Sequence, residues 1–432
     1  MQEGVVLRRI PMTSDRQAMV IKFLNEVDGD FPSAISLAAG RPAGHFSERM
    51  GLPAMLDATS LYNRHRATTT KDAHAEASLL QYGPTVGIVN DLVAEQLRID
   101  EGVPAASDRI VITCGCQEAL TLCISALCKE PGDVLLACNP TYAGAIGAAR
   151  ASAVEVHSIP GATSNLAAGI AQAYDTLRRN GRQPRALYLI PTFDNPTGRT
   201  LNDLQRREVL RLCAALHIVI LEDNPYGMFR YEGDTVRAMA SLDSAGCVIY
   251  LSTFSKTLAP TLRVGAATLP ETLFGDHAAR RALLNQLVQR KSLITINTSQ
   301  ISQAIVGGIL LDQRCTLQEW IQPALHWYQT NRNTMLHQLQ TQFSDLSMRV
   351  NWNRPQGGFF LTVELPFKFD VDAAFECAGQ YGVIVMPMSF FSSDSSQDNM
   401  IRLSFSCVDP EQICNGIRFL AEYIQRRVEN AA

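Results

Sequence analysis

Four short stretches of the sequence hold side chains that could share one piece of chemistry. Asn195-Pro-Thr-Gly198 offers an amide in a turn, Asp223-x-x-Tyr226 a carboxylate and a phenol, and Ser255-Lys256 with Arg263 an amine near a guanidinium. Cys114-Gly-Cys-Gln117 is a glycine-led turn into a helical pattern, where unpaired backbone amides can hold an anion. Taken singly, each has an ordinary role: a tight turn, a helix cap at Asp223, a solvated lysine at 256. Together they supply an amine that can condense with an aldehyde, a carboxylate that can keep a heteroaromatic nitrogen protonated, donors for a phenolic oxygen, and a cradle for a phosphate.

These groups can meet only if the elements before them end at one edge. From Thr85 onward, Val86, Val89, Leu92, Val93 and Leu97 fall on one helical face, and 109–113 reads as a short buried strand. Strands follow at 134–138, near 154, and at 186–190, 218–222, 248–252 and 264–268, with helices at 117–127, 167–179, 202–216 and 271–291. Apolar strands alternating with amphipathic helices predict an α/β fold with a mainly parallel sheet covered on both faces. Such sheets bind ligands beyond the carboxyl ends of their strands, and the four stretches come directly after the strands at 109–113, 186–190, 218–222 and 248–252. A long helix at 317–343, strands at 359–364, 383–387 and 401–406, and helices at 371–380 and 410–427 predict a smaller α+β domain. We expect a large domain of 46–309 and a small one of 1–45 plus 310–432. Residues 1–80, broken by Pro32, Gly40, Pro42, Gly44 and Gly51 and then polar from 64 to 76, read as an irregular segment wrapped around a domain.

One cofactor, pyridoxal 5′-phosphate, asks for all four provisions. Lys256 would form the imine, Asp223 hold the ring nitrogen, Asn195 and Tyr226 the phenolic oxygen, and Gly115, Cys116, Thr253, Ser255 and Arg263 the phosphate. On these residues, with Gly265 and with Arg402 on a late strand, the sequence resembles the fold type I pyridoxal-phosphate enzymes of the class I/II aminotransferase family, from about residue 82 to 402. Ser36-Leu-Ala-Ala-Gly-Arg-Pro42, Gly115-Cys-Gln117, Pro140-Thr-Tyr142 and Thr253-Phe-Ser-Lys-Thr-Leu-Ala-Pro260 are most similar to its 2-aminoadipate and kynurenine-type branch.

The resemblance implies a role for each position. Lys256 carries the cofactor and moves the proton between the substrate α-carbon and the cofactor, while Asp223 makes the ring an electron sink. Tyr142 stacks on the ring, and Gln117 belongs to the cofactor-binding turn. Tyr82 reaches a phosphate in the neighbouring subunit of a homodimer with shared active sites. Arg402 grips the substrate α-carboxylate as a bidentate fork, helped by Asn195, and Gly40 and Arg41 line the substrate pocket. Cys116 stands where the branch often has Ser. Asp194 stands where it often has a neutral residue, and could repel a substrate carboxylate or attract a cation; Arg41 argues for an anionic or polar distal group, unless the two pair with each other or with solvent. The implied reaction is ping-pong transfer of an amino group from an L-amino acid to a 2-oxo acid. The alternative is elimination, replacement, cyclisation or oxidation of an amino acid or S-adenosylmethionine in specialised biosynthesis. A third reading, a cofactor-binding regulator, needs a basic DNA-binding domain that residues 1–40 are too short to supply.

Composition narrows the partners. With 432 residues, 46% hydrophobic and 19% charged, the chain is of ordinary globular composition. Lys plus Arg number 38 against 42 Asp plus Glu, a net charge of −4, so no basic excess faces nucleic acid. The 11 cysteines include no CxxC pair and the 8 histidines no zinc-type spacing, which predicts reduced thiols and no metal. Neither a secretory leader pattern nor a run of about 18 apolar residues occurs, so we expect a cytoplasmic protein without membrane contact.

Overall fold

The computed structural model describes residues 27, 29–70, 75–161, 165–344 and 349–430. It opens with a two-residue strand, β1 (Ile35–Ser36), and a long helix, α1 (Leu52–Thr70). The helix corrects the expectation of irregular chain up to residue 80. Its pattern is illegible in the sequence because Leu52 and Leu56 stay 77% and 67% exposed while Ala58 and Tyr62 are buried. Tertiary packing, not an amphipathic stripe, stabilises it.

From there the helices and strands alternate: α2 (Asn90–Glu101), β2 (Ile110–Thr113), α3 (Cys116–Leu127), β3 (Asp133–Asn139), α4 (Ala143–Ala151), β4 (Glu155–Pro160), α5 (Leu166–Arg179) and β5 (Gln183–Leu189). Then come α6 (Asp203–Leu216), β6 (Val219–Asp223), β7 (Val248–Thr253) and β8 (Gly265–Thr268). Cap residues set several helix boundaries. Asn202 and Gln205 form a reciprocal capping box at the start of α6.

The strands β2 to β8 make a seven-stranded sheet in the order β2-β8-β7-β6-β5-β3-β4. All neighbours are parallel except that β8 runs against β2 and β7. Only residues 254–264 separate β7 from β8, which is too short for a helical crossover, so the chain turns back. Arg263 therefore enters the sheet edge from in front of its strand, while the other site residues leave it behind theirs. The register sets Thr113, Gly265 and Thr253 abreast.

After the sheet come α7 (His277–Ile294), capped by Asp276, and a helix not read from sequence, α8 (Gln300–Asp312). The rest is α9 (Gln318–Gln342), β9 (Asn351–Trp352), β10 (Phe360–Glu364), α10 (Val371–Tyr381), β11 (Val383–Ile384), β12 (Met386–Pro387), β13 (Met400–Ser404) and α11 (Pro410–Glu429). An antiparallel sheet of order β12-β13-β10-β9 packs with α9, α10 and α11 around a second core that includes Leu361, Ile401 and Ile417. β1 pairs with β11 in parallel, so residues 35–36 are tied to the C-terminal part. That pairing leads residues 37–42 to the carboxyl edge of the large sheet.

Helices α1 and α8 cross in close contact: a Cβ added to Gly308 would lie 2.7 Å from the Ala58 Cα. Overpacking of this kind costs about 1–3 kcal/mol. We expect Gly308→Val to lower the thermal midpoint by several degrees while the far-UV circular dichroism of the folded protein at room temperature is unchanged. A midpoint within one degree or so of the parent would show that the two helices separate at no cost.

Candidate active site

The edge formed by Thr113, Thr253 and Gly265 is where side chains converge. Gly115 opens α3 with φ 74, a conformation few other residues adopt. A Cβ on it would run into the Arg263 guanidinium, and one on Gly265 would lie 2.7 Å from the Ser252 carbonyl oxygen and 2.8 Å from the Cys116 nitrogen. The two glycines thus clear a concave space at a helix N-terminus. Around it, Thr253 Oγ1 donates to Ser255 Oγ at 3.0 Å, and Arg263 Nη2 donates to the Cys114 carbonyl at 3.2 Å. Amides, hydroxyls and a guanidinium around such a space suit a phosphate.

Asp223, the last residue of β6, is buried. Tyr188 donates to one of its carboxylate oxygens at 2.8 Å and the Cys116 thiol to the other at 3.2 Å. Burial raises its pKa to about 6 against those hydrogen bonds and the charge of Lys256. Lys256 Nζ donates to the Gly40 carbonyl at 2.8 Å and lies 5.9 Å from the centre of the Tyr226 ring. Burial lowers its pKa to about 8; the Arg402 charge lowers it too, while Cys407 and Asp223 oppose the shift.

Arg402, on β13, is also buried. Its Nη1 donates to Asn195 Oδ1 and its Nη2 to the Ala38 carbonyl, both at 2.7 Å, while Nε has no hydrogen-bond partner among the described residues. Its guanidinium carbon lies 4.2 Å from the centre of the Phe360 ring and 4.8 Å from that of Phe391. Desolvation lowers its pKa to about 10, so it stays a cation at neutral pH. Burial pushes the pKa of the Tyr226 phenol, which borders the same cleft as Asn195, far up. Tyr142 donates to Gln117 Oε1 at 3.3 Å, and burial raises its pKa to about 12.

These groups line one cleft of about 1050 Å³. Gly40, Cys116, Gln117, Tyr142, Asn195, Asp223, Tyr226, Thr253, Ser255, Lys256, Arg263 and Arg402 of the sequence-predicted set border it. Arg41 is exposed and outside the lining, although its carbonyl accepts from Ser406 Oγ at 2.7 Å. Tyr82 is 81% exposed, on the surface. Asp194 turns into its own loop, accepting from the Thr197 hydroxyl at 2.6 Å and the Thr197 amide at 3.3 Å. It therefore does not reach toward a substrate, which corrects that expectation.

Sequence reasoning missed Tyr188, Phe360 and the Ser389–Ser393 wall of the cleft. Tyr188 had a signal, a hydroxyl inside an otherwise aliphatic strand. The wall had none, because only the docking of the small sheet brings it over the loop after β3, where Thr141 N donates to the Phe391 carbonyl at 2.9 Å. Among the described residues no cluster of His, Cys, Asp and Glu could hold a metal ion.

The donor set fits pyridoxal phosphate. It joins an anion cradle that a Cβ would fill, a buried carboxylate with a raised pKa, and a desolvated amine in the same cleft. Comparisons with known proteins agree. A model of the family "Aminotransferase class I and II" matches residues 51–420. The (S)-3,5-dihydroxyphenylglycine transaminase of Amycolatopsis orientalis is 35% identical over 94% of this chain and 92% of its own. Aromatic-amino-acid aminotransferase 1 of Thermococcus litoralis is 33% identical over 83% and 82%. The crystal structure of the Pyrococcus horikoshii kynurenine aminotransferase, in complex with PMP, superposes with a TM-score of 0.79 at 28% identity, covering 96% of both chains.

Desolvation of Asp223 makes a checkable claim about stability. A carboxyl whose folded pKa is about 6 rather than 3.8 costs nothing below about pH 4 and loses stability as pH rises through 6. At pH near 8 the loss is on the order of 2–3 kcal/mol. Asp223→Asn should therefore make the cofactor-free protein more stable than the parent at about pH 8 and no more stable at about pH 4. Urea unfolding at both pH values measures this, and a difference that does not change with pH would contradict the assignment.

Proposed function

The chain belongs to the class I and II aminotransferases, pyridoxal-phosphate-dependent enzymes that move amino groups between amino acids and 2-oxo acids, and from that premise we propose how its own residues divide the work. When bound, the cofactor supplies a carbon that accepts amines and a ring that takes up the electron pair released at the substrate α-carbon. Lys256 is the amine that attaches to it and the base that moves the α-proton. Its pKa near 8 leaves a usable neutral fraction near pH 7.5, and only the neutral amine can attach or accept a proton. Asp223 holds a protonated ring nitrogen, and Asn195 and Tyr226 the phenolic oxygen. Tyr142 covers the ring, with Gln117 beside it. Gly115, Cys116, Thr253, Ser255 and Arg263 take the phosphate. Arg402 binds the α-carboxylate.

The observation that carries this reading is that Lys256, Asp223 and Arg402 share one cleft, Asp223 and Arg402 buried and Lys256 half-buried, each held by a separate hydrogen-bonded partner. The named relatives are transaminases, which favours transfer over elimination, replacement, cyclisation or oxidation. One site with one carboxylate fork serves donor and acceptor in turn, the ping-pong order. Tyr142, Ile146, Val156 and Phe390 border the cleft, and relatives are named for aromatic substrates, so we propose an aromatic L-amino acid donor. Gly40 borders the substrate space, and Arg41 adjoins it from the exposed side. The chain divides in this reading into a large part of 46–309 and a small part of 1–45 with 310–432, of which residues 1–26, 28, 345–348 and 431–432 lie outside the described ones; the β1–β11 pairing supports the division.

The active unit in this reading is a homodimer. Leu80, Tyr82, Leu293 and Ile294 are large apolar side chains exposed on the single chain, Leu293 at 82%. Gln300 donates to the Ser78 carbonyl at 2.9 Å and also to that of Gln81, which holds the Tyr82 loop to the start of α8. Tyr82 then reaches the phosphate of the partner's site. All eleven cysteines are free thiols, which suits a cytoplasmic setting, and no helix among the described residues is long and apolar enough to cross a membrane.

Incubating the enzyme with single L-amino acids and 2-oxoglutarate should release the matching 2-oxo acid, most rapidly from aromatic donors. Lys256→Ala should abolish turnover while the fold survives; activity within about tenfold of the parent would remove Lys256 from the chemistry. Arg402→Lys should raise KM for every donor by roughly 10- to 100-fold, since a point charge replaces a fork; a fall in kcat at unchanged KM would assign the carboxylate to another group. For the dimer, light scattering should give twice the chain mass, and Tyr82→Phe should weaken cofactor binding without dissociating it. A fully active monomer would overturn that part.

A further inference from the structure

Behind the cradle lies a buried ion pair that the roles above do not use. Glu118 stands in the first turn of α3, its side chain 8% exposed, and Lys291 of α7 has a side chain with no exposure at all. Lys291 Nζ donates to Glu118 Oε2 at 2.9 Å, to Thr295 Oγ1 at 3.0 Å and to Thr298 Oγ1 at 3.1 Å, the full complement of an ammonium. The Thr295 hydroxyl donates to Glu118, and that of Thr298 to the Ile112 carbonyl of β2 at 3.2 Å. The same Glu118 Oε2 accepts the Cys114 amide at 2.6 Å. The Cys114 carbonyl in turn accepts from Arg263. The turn that forms the cradle is thus gripped by a carboxylate from behind and by a guanidinium from in front.

A carboxylate in that position has two opposed effects. It fixes the Cys114 amide and so the shape of the turn, and a negative charge in the first turn of a helix is favourable in itself. It also places negative charge one residue from a space meant for a phosphate. A buried ion pair is a poor device for stability, since burying both charges costs about what their attraction returns. Something other than stability must explain an ammonium with no exposure at this spot.

We propose that Lys291 is a positioning residue for the cofactor phosphate: it neutralises Glu118, so that the acid can hold the Cys114 turn without repelling the anion in front of it. The proposal rests on reading that turn as the phosphate site. Glu118 supplies geometry and Lys291 removes its charge, which gives the two residues opposite signatures toward a phosphate. A merely structural pair would give the same signature for both.

The test is the ratio of affinities of the full-length cofactor-free chain for pyridoxal phosphate and for pyridoxal, measured by absorbance titration for the parent, Lys291→Met, Glu118→Gln and the double variant. Lys291→Met should lower the ratio by about tenfold, the size of one uncompensated charge near a protein surface. Glu118→Gln should raise it severalfold, and the double variant should return close to the parent. Equal losses for both ligands in Lys291→Met, or a double variant no better than Lys291→Met, would overturn the proposal. Should Lys291→Met fail to fold, Glu118→Gln decides alone: a raised ratio supports the proposal, and an unchanged or lowered one overturns it. A parent with no preference for the phosphorylated ligand would overturn the phosphate reading of the turn as well, which separates the two failures.

Discussion

Removing a charged side chain from water costs on the order of several kcal/mol unless partners replace the solvent, and the cleft does this with an ammonium, a carboxylate and a guanidinium at once. The fold around it consists of what each of the three requires. Asp223 needs donors and takes them from Tyr188 on the neighbouring strand and Cys116 at the start of α3. Arg402 needs acceptors and flat faces, which Asn195, Ala38, Phe360 and Phe391 provide. Lys256 needs an acceptor that leaves it free to lose its proton, and the Gly40 carbonyl is one. Two of these acceptors lie just past β1, so the short parallel pairing of β1 with β11 positions the backbone that satisfies the cations.

Alternation along a strand lets neighbouring residues do different work. Asp223 faces the cleft, and Glu222 before it faces the other side of the sheet, where it accepts from the Met239 and Ala240 amides at 2.7 Å. Arg206 of α6 lies 3.9 Å from that carboxylate, and burial holds the Glu222 pKa up to about 7. Arg206 also donates to the Pro191 and Leu201 carbonyls, the two ends of the loop that carries Asn195. The loop is therefore clamped at its ends from beneath the sheet, while Asn195 in it accepts from Arg402. A rigid loop matters there, because an amide oxygen that drifted would leave Arg402 buried with one partner fewer.

The chemistry is legible in the sequence because it sits where one-dimensional rules hold. Residues directly after parallel strands must end at one edge, so the places of Asn195, Asp223, Tyr226 and Lys256 along the chain are enough to group them. Helices closed by side-chain caps, such as α6 at Asn202, are legible for the same local reason. What escapes depends on contacts between distant segments. The helix α1 has no apolar stripe and exists through its crossing with α8. Phe390 and Phe391 reach the cleft only when the small sheet docks, and Lys291 meets Glu118 across 173 positions of sequence. Asp194 misleads because a carboxylate beside a site residue looks like a recognition group, whereas its nearest donors lie in its own turn. Arg41 is exposed beside Gly40, which borders the cleft.

Cys116 shows how a single atom exchange fits the electrostatics. A thiol is a weaker hydrogen-bond donor than a hydroxyl, and burial pushes the Cys116 pKa well up, so it remains a neutral thiol beside Asp223. Most of the hydrogen-bonding support for the Asp223 carboxylate then comes from Tyr188, the shorter of its two contacts. A carboxylate held by one strong donor and one weak one keeps more of its basicity than one held by two strong donors. That is the property a group needs if its task is to keep a ring nitrogen protonated. The backbone amide of Cys116, at the start of α3, is in the proposed reading a donor to the phosphate whatever the side chain, so that the thiol bears only on Asp223.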